Sequence, residues 1–231
     1  MNVNVKFVTD DKCCAYSKYG IKIIDNEKFI KPVKGARKEK IDLVKYIDNE
    51  MLDILNIGKK VYFKEKINDR EILDYADKYG MFGLILEQIL EDTKPNSKFD
   101  VRGMTIFSKE YVESFELIQL YAGKLYEFLY NIDKKSDRIR VPAILTDRNT
   151  EINFVFNIEN DVTVKVISLK QAIDLYFTLQ ISKPVRTLKI CKYCNKAFFA
   201  NNIKANYCCH SCKNKANVYK CRAKARNGGV E

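Results

Sequence analysis

Apolar and polar residues alternate at Val3, Val5 and Phe7, and a second β-prone run spans Tyr19 to Ile24 around Gly20. A period of two marks a half-buried strand, so this end of the chain reads as a small hairpin or sheet edge. From Lys38 the period lengthens: Ile41, Val44, Ile47, Met51 and Leu55 share one helical face, with Gly58 placed to cap the helix. Asn68 and Glu71 form a capping box ahead of Ile72, Tyr75, Ala76 and Tyr79, and Gly80 can end that second helix. Residues 93–103, with Pro95, Asn96, Ser97 and Gly103, read as a loop.

The longest helical pattern follows. Ser108 is placed to cap it, with Phe107 and Val112 as a hydrophobic staple and Glu110 in the first turn. Tyr111, Phe115, Ile118, Ala122, Leu125, Leu129 and Ile132 recur alternately four and three residues apart. Such a seam makes the central core helix of a mixed domain, or it pairs two subunits as a homodimer through residues 108–133. Ile152, Phe154, Phe156 and Ile158 then alternate, Glu159 to Asp161 turn the chain, and Val162, Val164 and Val166 alternate in return, which predicts a β-hairpin. Ser168 and Gln171 open another helix through Ala172, Ile173, Tyr176 and Leu179, ending near Ser182 and Pro184. The expected architecture is α+β: a mainly helical N-terminal domain with small β-hairpins over 1–184, and a separate module over 185–231.

Composition keeps that picture and adds a compartment. With 46% hydrophobic and 31% charged residues in 231, the chain is an ordinary globular protein. No run approaches the roughly 18 apolar residues of a membrane span, and Met1 to Asp10 lacks the charged start and apolar centre of a signal peptide, so a cytoplasmic protein with no membrane partner is expected. Charge changes the picture more. From Val185 to Glu231 there are eleven Lys or Arg and one acid, Glu231, so this segment holds +10 of the formal net charge of +11. A balance so confined marks a local surface for a polyanion, of which nucleic acid is the commonest.

Five of the eight cysteines fall between Cys191 and Cys212, inside the same segment. In a reducing compartment clustered thiols are better read as metal ligands than as disulfides. Cys191 and Cys194 have the two-residue gap of a knuckle, and Cys208 and Cys212 are spaced to present two sulfurs from one helix face. Cys209 is the alternative to Cys208, since it makes a second two-residue pair with Cys212; His210, the only histidine, is taken as a bystander. Between the pairs, Lys196 to Ala200 can run out, Asn201 and Asn202 turn, and Lys204 to Tyr207 return as a hairpin. The whole describes a treble-clef or ribbon-like module holding one structural Zn2+, because four thiolates close the coordination shell and leave no open position for catalysis. Phe198, Phe199 and Tyr207 are expected to pack around the metal.

Tyr207 to Arg226, preceded by Cys191-Lys-Tyr-Cys-Asn-Lys-Ala-Phe-Phe199, resembles the bacterial CGNR-type zinc finger that closes the ABATE-domain family, described as stress-induced transcription regulators. The resemblance covers about 40 residues. It implies metal ligation by Cys191, Cys194, Cys208 and Cys212 and a signature tetrad at Cys212, Lys213, Asn214 and Lys215. Lysine stands at the last position where the family has arginine, which keeps the charge and loses the bidentate fork. The family implies a DNA-binding finger and a sensory N-terminal domain, which is expected here to bind a small-molecule effector or to dimerise.

On a helical wheel Lys213, Lys220 and Lys224 share one side, and Lys215, Arg222 and Arg226 lie nearly opposite, an arrangement suited to a helix seated between two phosphate strands. The expectation is a DNA-binding transcription regulator; the alternative is an RNA-binding or protein-interaction protein whose zinc only stabilises a basic tail. An enzyme is not expected, because the chain has no Gly-rich phosphate loop, no nucleophile elbow and one histidine, which lies in the cysteine module.

Overall fold

The computed structural model describes residues 4–9, 14–40, 43–84, 111–133, 153–156, 161–166, 168–182, 187–202 and 204–227. It is a mixed α/β protein. In chain order come β1 (Asn4–Thr9), β2 (Cys14–Tyr16), β3 (Tyr19–Ile24), β4 (Glu27–Pro32), β5 (Lys38–Lys40), α1 (Leu43–Tyr62) and α2 (Asp69–Tyr79). These are followed by β6 (Glu113–Ser114), α3 (Phe115–Asp133), β7 (Asn153–Phe156), β8 (Asp161–Val166), α4 (Leu169–Ser182), β9 (Thr187–Ile190), β10 (Ala197–Ala200) and α5 (His210–Asn227). The sheets are small: β3-β4-β6 is antiparallel, β2 pairs with β5, β9 with β10, and β8 lies between β1 and β7. The β7–β8 hairpin is the expected one, with Phe156 opposite Val162, and β1 joins it in parallel.

Helices α1 and α3 form the centre. Met51, Ile54 and Leu55 of α1 and Ile118, Ala122 and Leu125 of α3 are fully buried. The apolar seam of α3 is therefore occupied by the chain's own core. Gly58 does not end α1, which runs on to Tyr62. A Cβ at Gly58 would run into the carbonyl oxygen of Ala122, and one at Gly123 would lie 2.8 Å from Val61 Cγ1. Gly58 lets α1 lie against the backbone of α3 at Ala122, and Gly123 leaves room for the Val61 side chain, so both glycines serve the close approach of the two helices.

α3 also starts later than its apolar spacing suggests. Tyr111 and Val112 are not helical, and Glu113–Ser114 form a strand against Phe29 and Ile30 of β4 before the helix begins at Phe115. Ser108 and the 93–103 segment lie outside the described residues. Buried Glu113 accepts hydrogen bonds from the backbone N–H groups of Phe82 (2.8 Å), Gly83 and Leu84 (3.0 Å) and from the Tyr111 hydroxyl (2.6 Å). Burial raises its carboxyl above the ordinary range against the pull of those donors. Pairing of Glu113 and Ser114 with β4 holds this stretch extended, and the Glu113 bonds to residues 82–84 fix it there, so the helix starts late.

α2 matches its capping signals. Asn68 Oδ1 accepts from the Arg70 N–H at 3.0 Å, the Asn68 N–H donates to Glu71 Oε1 at 3.3 Å, and the Gly80 N–H closes the far end on the Ala76 carbonyl. α4 begins with the Gln171 N–H bonded to Ser168 Oγ at 3.1 Å. Its Lys170, 1% exposed, reaches Asp174 at 2.7 Å, and the Tyr121 hydroxyl donates to the same carboxylate at 2.8 Å. This buried, partnered charge ties α4 to α3.

A four-cysteine cluster at the foot of a basic helix

β9 and β10 form an antiparallel hairpin, with Ile190 opposite Ala197, and its connecting turn is the cysteine knuckle. β10 therefore pairs with the strand before it, not with Lys204–Tyr207 as the sequence suggests. Lys204–Tyr207 is held by single bonds instead: the Lys192 N–H donates to the Asn206 carbonyl and Lys189 Nζ to the Ala205 carbonyl, at 2.9 and 3.1 Å. In the knuckle, the Cys191 N–H donates to the Lys196 carbonyl and the Asn195 N–H to the Cys191 carbonyl, both at 2.9 Å, with Asn195 left-handed at φ 57°. That tight turn points both cysteines of the gap the same way.

The pleat of β10 divides its side chains between two environments. Ala197 and Phe199 face the main core, where Phe199 meets Tyr176, while Phe198 and Ala200 face the cysteines. Phe198 and Tyr207 pack around the cluster as expected; Phe199 does not. Leu188, Ile190 and Ala197 belong to the same apolar cluster as α1, α3 and α4. The Tyr126 hydroxyl, from α3, donates to the Asn195 carbonyl at 2.6 Å and pins the knuckle to the central helix. Tyr126 lies beside the α3 seam rather than in it, so no periodicity singles it out.

Cys191, Cys194, Cys208 and Cys212 bring their sulfurs within 4.8 Å of one another. Cys208 sulfur is 3.7 Å from Cys194 and 3.6 Å from Cys212. Cys208 stands just before α5 and Cys212 in its first turn, so this pair straddles the helix start rather than sharing one helix face. Cys209 is exposed and outside the group, with its sulfur 3.9 Å from that of Cys208. His210 faces Asn214, 3.2 Å away.

Burial by itself would raise the Cys191 thiol, but hydrogen bonds from the backbone N–H groups of Cys194, Cys208 and Tyr193 outweigh it and hold it at about 7. Burial pushes Cys212 up to about 12 and Cys208 higher still, the latter reinforced by the thiols of Cys212, Cys194 and Cys191. Four thiols this close resist joint ionisation unless a cation supplies the compensating charge. A tetrahedral ion with sulfurs at about 2.3 Å separates them by about 3.8 Å, so the spacing fits a four-thiolate metal site.

α5 has six Lys or Arg and no acid over 18 residues, a length of about 27 Å. Lys213, Lys215, Lys220 and Arg222 are exposed. Lys224 and Arg226 fall in the same helix, with their side chains outside the described set. Only Cys212 and Ala216 along the helix are partly covered among its described side chains. Its basic residues are thus brought together by one element, held at its N-terminal end by Cys212 and Ala216 and by the contact of Tyr219 with Tyr193.

Fold and site together define a mixed α/β protein with a four-cysteine cluster able to hold a metal ion at the start of a largely exposed basic helix. Compared with protein-family models, curated proteins and solved structures, the chain matches none of them. No helix among the described residues is long and apolar enough to cross a membrane.

Proposed function

We propose that the chain is a nucleic-acid-binding protein, in the first instance a DNA-binding transcription regulator, that holds one structural zinc ion through Cys191, Cys194, Cys208 and Cys212 in a treble-clef arrangement. The observation that carries this is the exposed α5, with six cations, no acid and a cysteine cluster fixing its first turn. The metal would neutralise the thiolates and hold the helix start against the knuckle. Lys213, Lys215, Lys220, Arg222, Lys224 and Arg226 would meet phosphates from two sides of the helix. The resemblance to the CGNR-type finger supports the same reading. The candidate place for an effector of the main domain is an open cleft of about 470 Å3 lined by Asp53, Tyr75 and Lys78 and reaching Lys196 of the knuckle.

Gel-shift titrations over a range of salt test the proposal. If six groups meet phosphates, log affinity falls with log salt at a slope of roughly five, from about 0.9 per contact. A Lys220, Arg222 and Lys224 to alanine variant should flatten that slope and weaken binding. Absence of binding at low salt would sink the reading in favour of a purely structural finger.

A further inference from the structure

Tyr219 is not explained by the cysteine cluster or by phosphate contacts. It is 60% exposed on a helix whose other large side chains are mostly cationic. One side of its ring lies against Tyr193, with centroids 6.0 Å apart and planes inclined by 28°. Tyr193 sits between Cys191 and Cys194, so the knuckle fixes the platform on which Tyr219 rests. The remainder of the Tyr219 ring is open.

The charged side chains flanking it in this segment are basic. Lys215 and Arg222, four before and three after Tyr219, share its side of the helix, and both are exposed. Lys192, beside Tyr193, is exposed as well. No Asp or Glu occurs from Val185 to Val230. Phosphate attraction alone needs the cations and not the ring. An open aromatic face between cations complements a nucleotide whose base stacks while its flanking phosphates meet Lys or Arg. In a duplex the base faces are covered by their neighbours, and only the edges and backbone are presented.

We infer that the Tyr193–Tyr219 pair is a base-stacking ledge, and that the preferred target of this module is a strand with unpaired bases, either locally opened DNA or RNA. The inference rests on the nucleic-acid reading of α5 and narrows it. Lys215 and Arg222 hold the phosphates on either side of the stacked base, while Lys213 and Lys220 face away from the ledge.

Fluorescence-anisotropy titrations of the metal-loaded full chain test this, using one labelled oligonucleotide as a single strand and as its annealed duplex, in DNA and RNA forms. The wild type should prefer the single strand. Tyr219→Leu keeps an apolar group against Tyr193 but cannot stack, so it should weaken single-strand binding about 10-fold and leave the duplex nearly unchanged. Tyr219→Phe should restore the preference, whereas Lys220→Gln should weaken both forms alike. Metal content and far-UV circular dichroism verify that each variant keeps its helix. Duplex preference in the wild type, or a Tyr219→Leu variant with an unaltered ratio, overturns the ledge while the nucleic-acid reading stands. Failure of the wild type to bind either form overturns both.

Discussion

Three positions respond to substitution for different physical reasons. In the four-cysteine cluster, Cys208 touches two of the other sulfurs and Cys209 is exposed. Cys208→Ser should lower the zinc bound per chain well below one and Cys209→Ser should leave it unchanged, as read by elemental analysis after dialysis. Gly58→Ala would ordinarily strengthen a helix by up to about 1 kcal/mol. Here the new methyl meets the Ala122 carbonyl, so the urea midpoint should instead fall by the equivalent of about 1–3 kcal/mol. Glu50, buried and bonded to the Tyr75 hydroxyl at 3.2 Å, is raised by burial to about 8 from an ordinary 4.5. The folded state holds that proton more tightly than the unfolded one. The stability it contributes is complete below about pH 4.5 and lost as the pH rises through about 8. Glu50→Gln should therefore gain on the wild type as the pH goes from 5 to 8, and a constant difference between their urea midpoints would count against the assignment.

At the scale of the element, α5 depends on its anchor. Lys220 and Lys224, and Arg222 and Arg226, are like charges four apart, each pair costing about 0.2–0.5 kcal/mol, and no acid offsets them. A helix of this length with one or two packed turns is marginal without a nucleus, which the cysteine cluster provides. Chelating the metal should abolish its helicity and open residues 204–227 to trypsin, while the central helices stay protected. The elements that the sequence made legible are those whose signals are local: the capping box of Asn68 and Glu71, the β7–β8 alternation and the two cysteine pairs. What it hid depends on distant partners. Gly58 looks like a cap until Ala122 is brought against it, Tyr111 fits a helical seam until Glu113 is needed at residues 82–84, and Lys204–Tyr207 resembles a return strand until β9 takes its place beside β10. Between Cys208 and Cys209 spacing alone could not choose, because it does not say that the helix begins between Cys208 and Cys212.

Across the whole molecule, the cysteine module is not a bead on a string. Leu188, Ile190 and Ala197 are buried in the main cluster, and the expected boundary at 184 falls just before them in sequence. Removing residues 185–231 should therefore expose apolar surface, lower the melting temperature and raise dye binding to hydrophobic patches, in addition to any loss of nucleic-acid affinity. A truncation meant to map binding should stop beyond Ala200 so that the hairpin remains.

The bond from the Tyr126 hydroxyl to the Asn195 carbonyl carries a kinetic consequence. A finger on a flexible tether explores many orientations and gives up that freedom on docking. This one is already aimed, so, under the proposed function, the whole particle must tumble into register before α5 can engage nucleic acid. Capture should be slower than for a tethered finger, and release slower too, since letting go recovers little freedom.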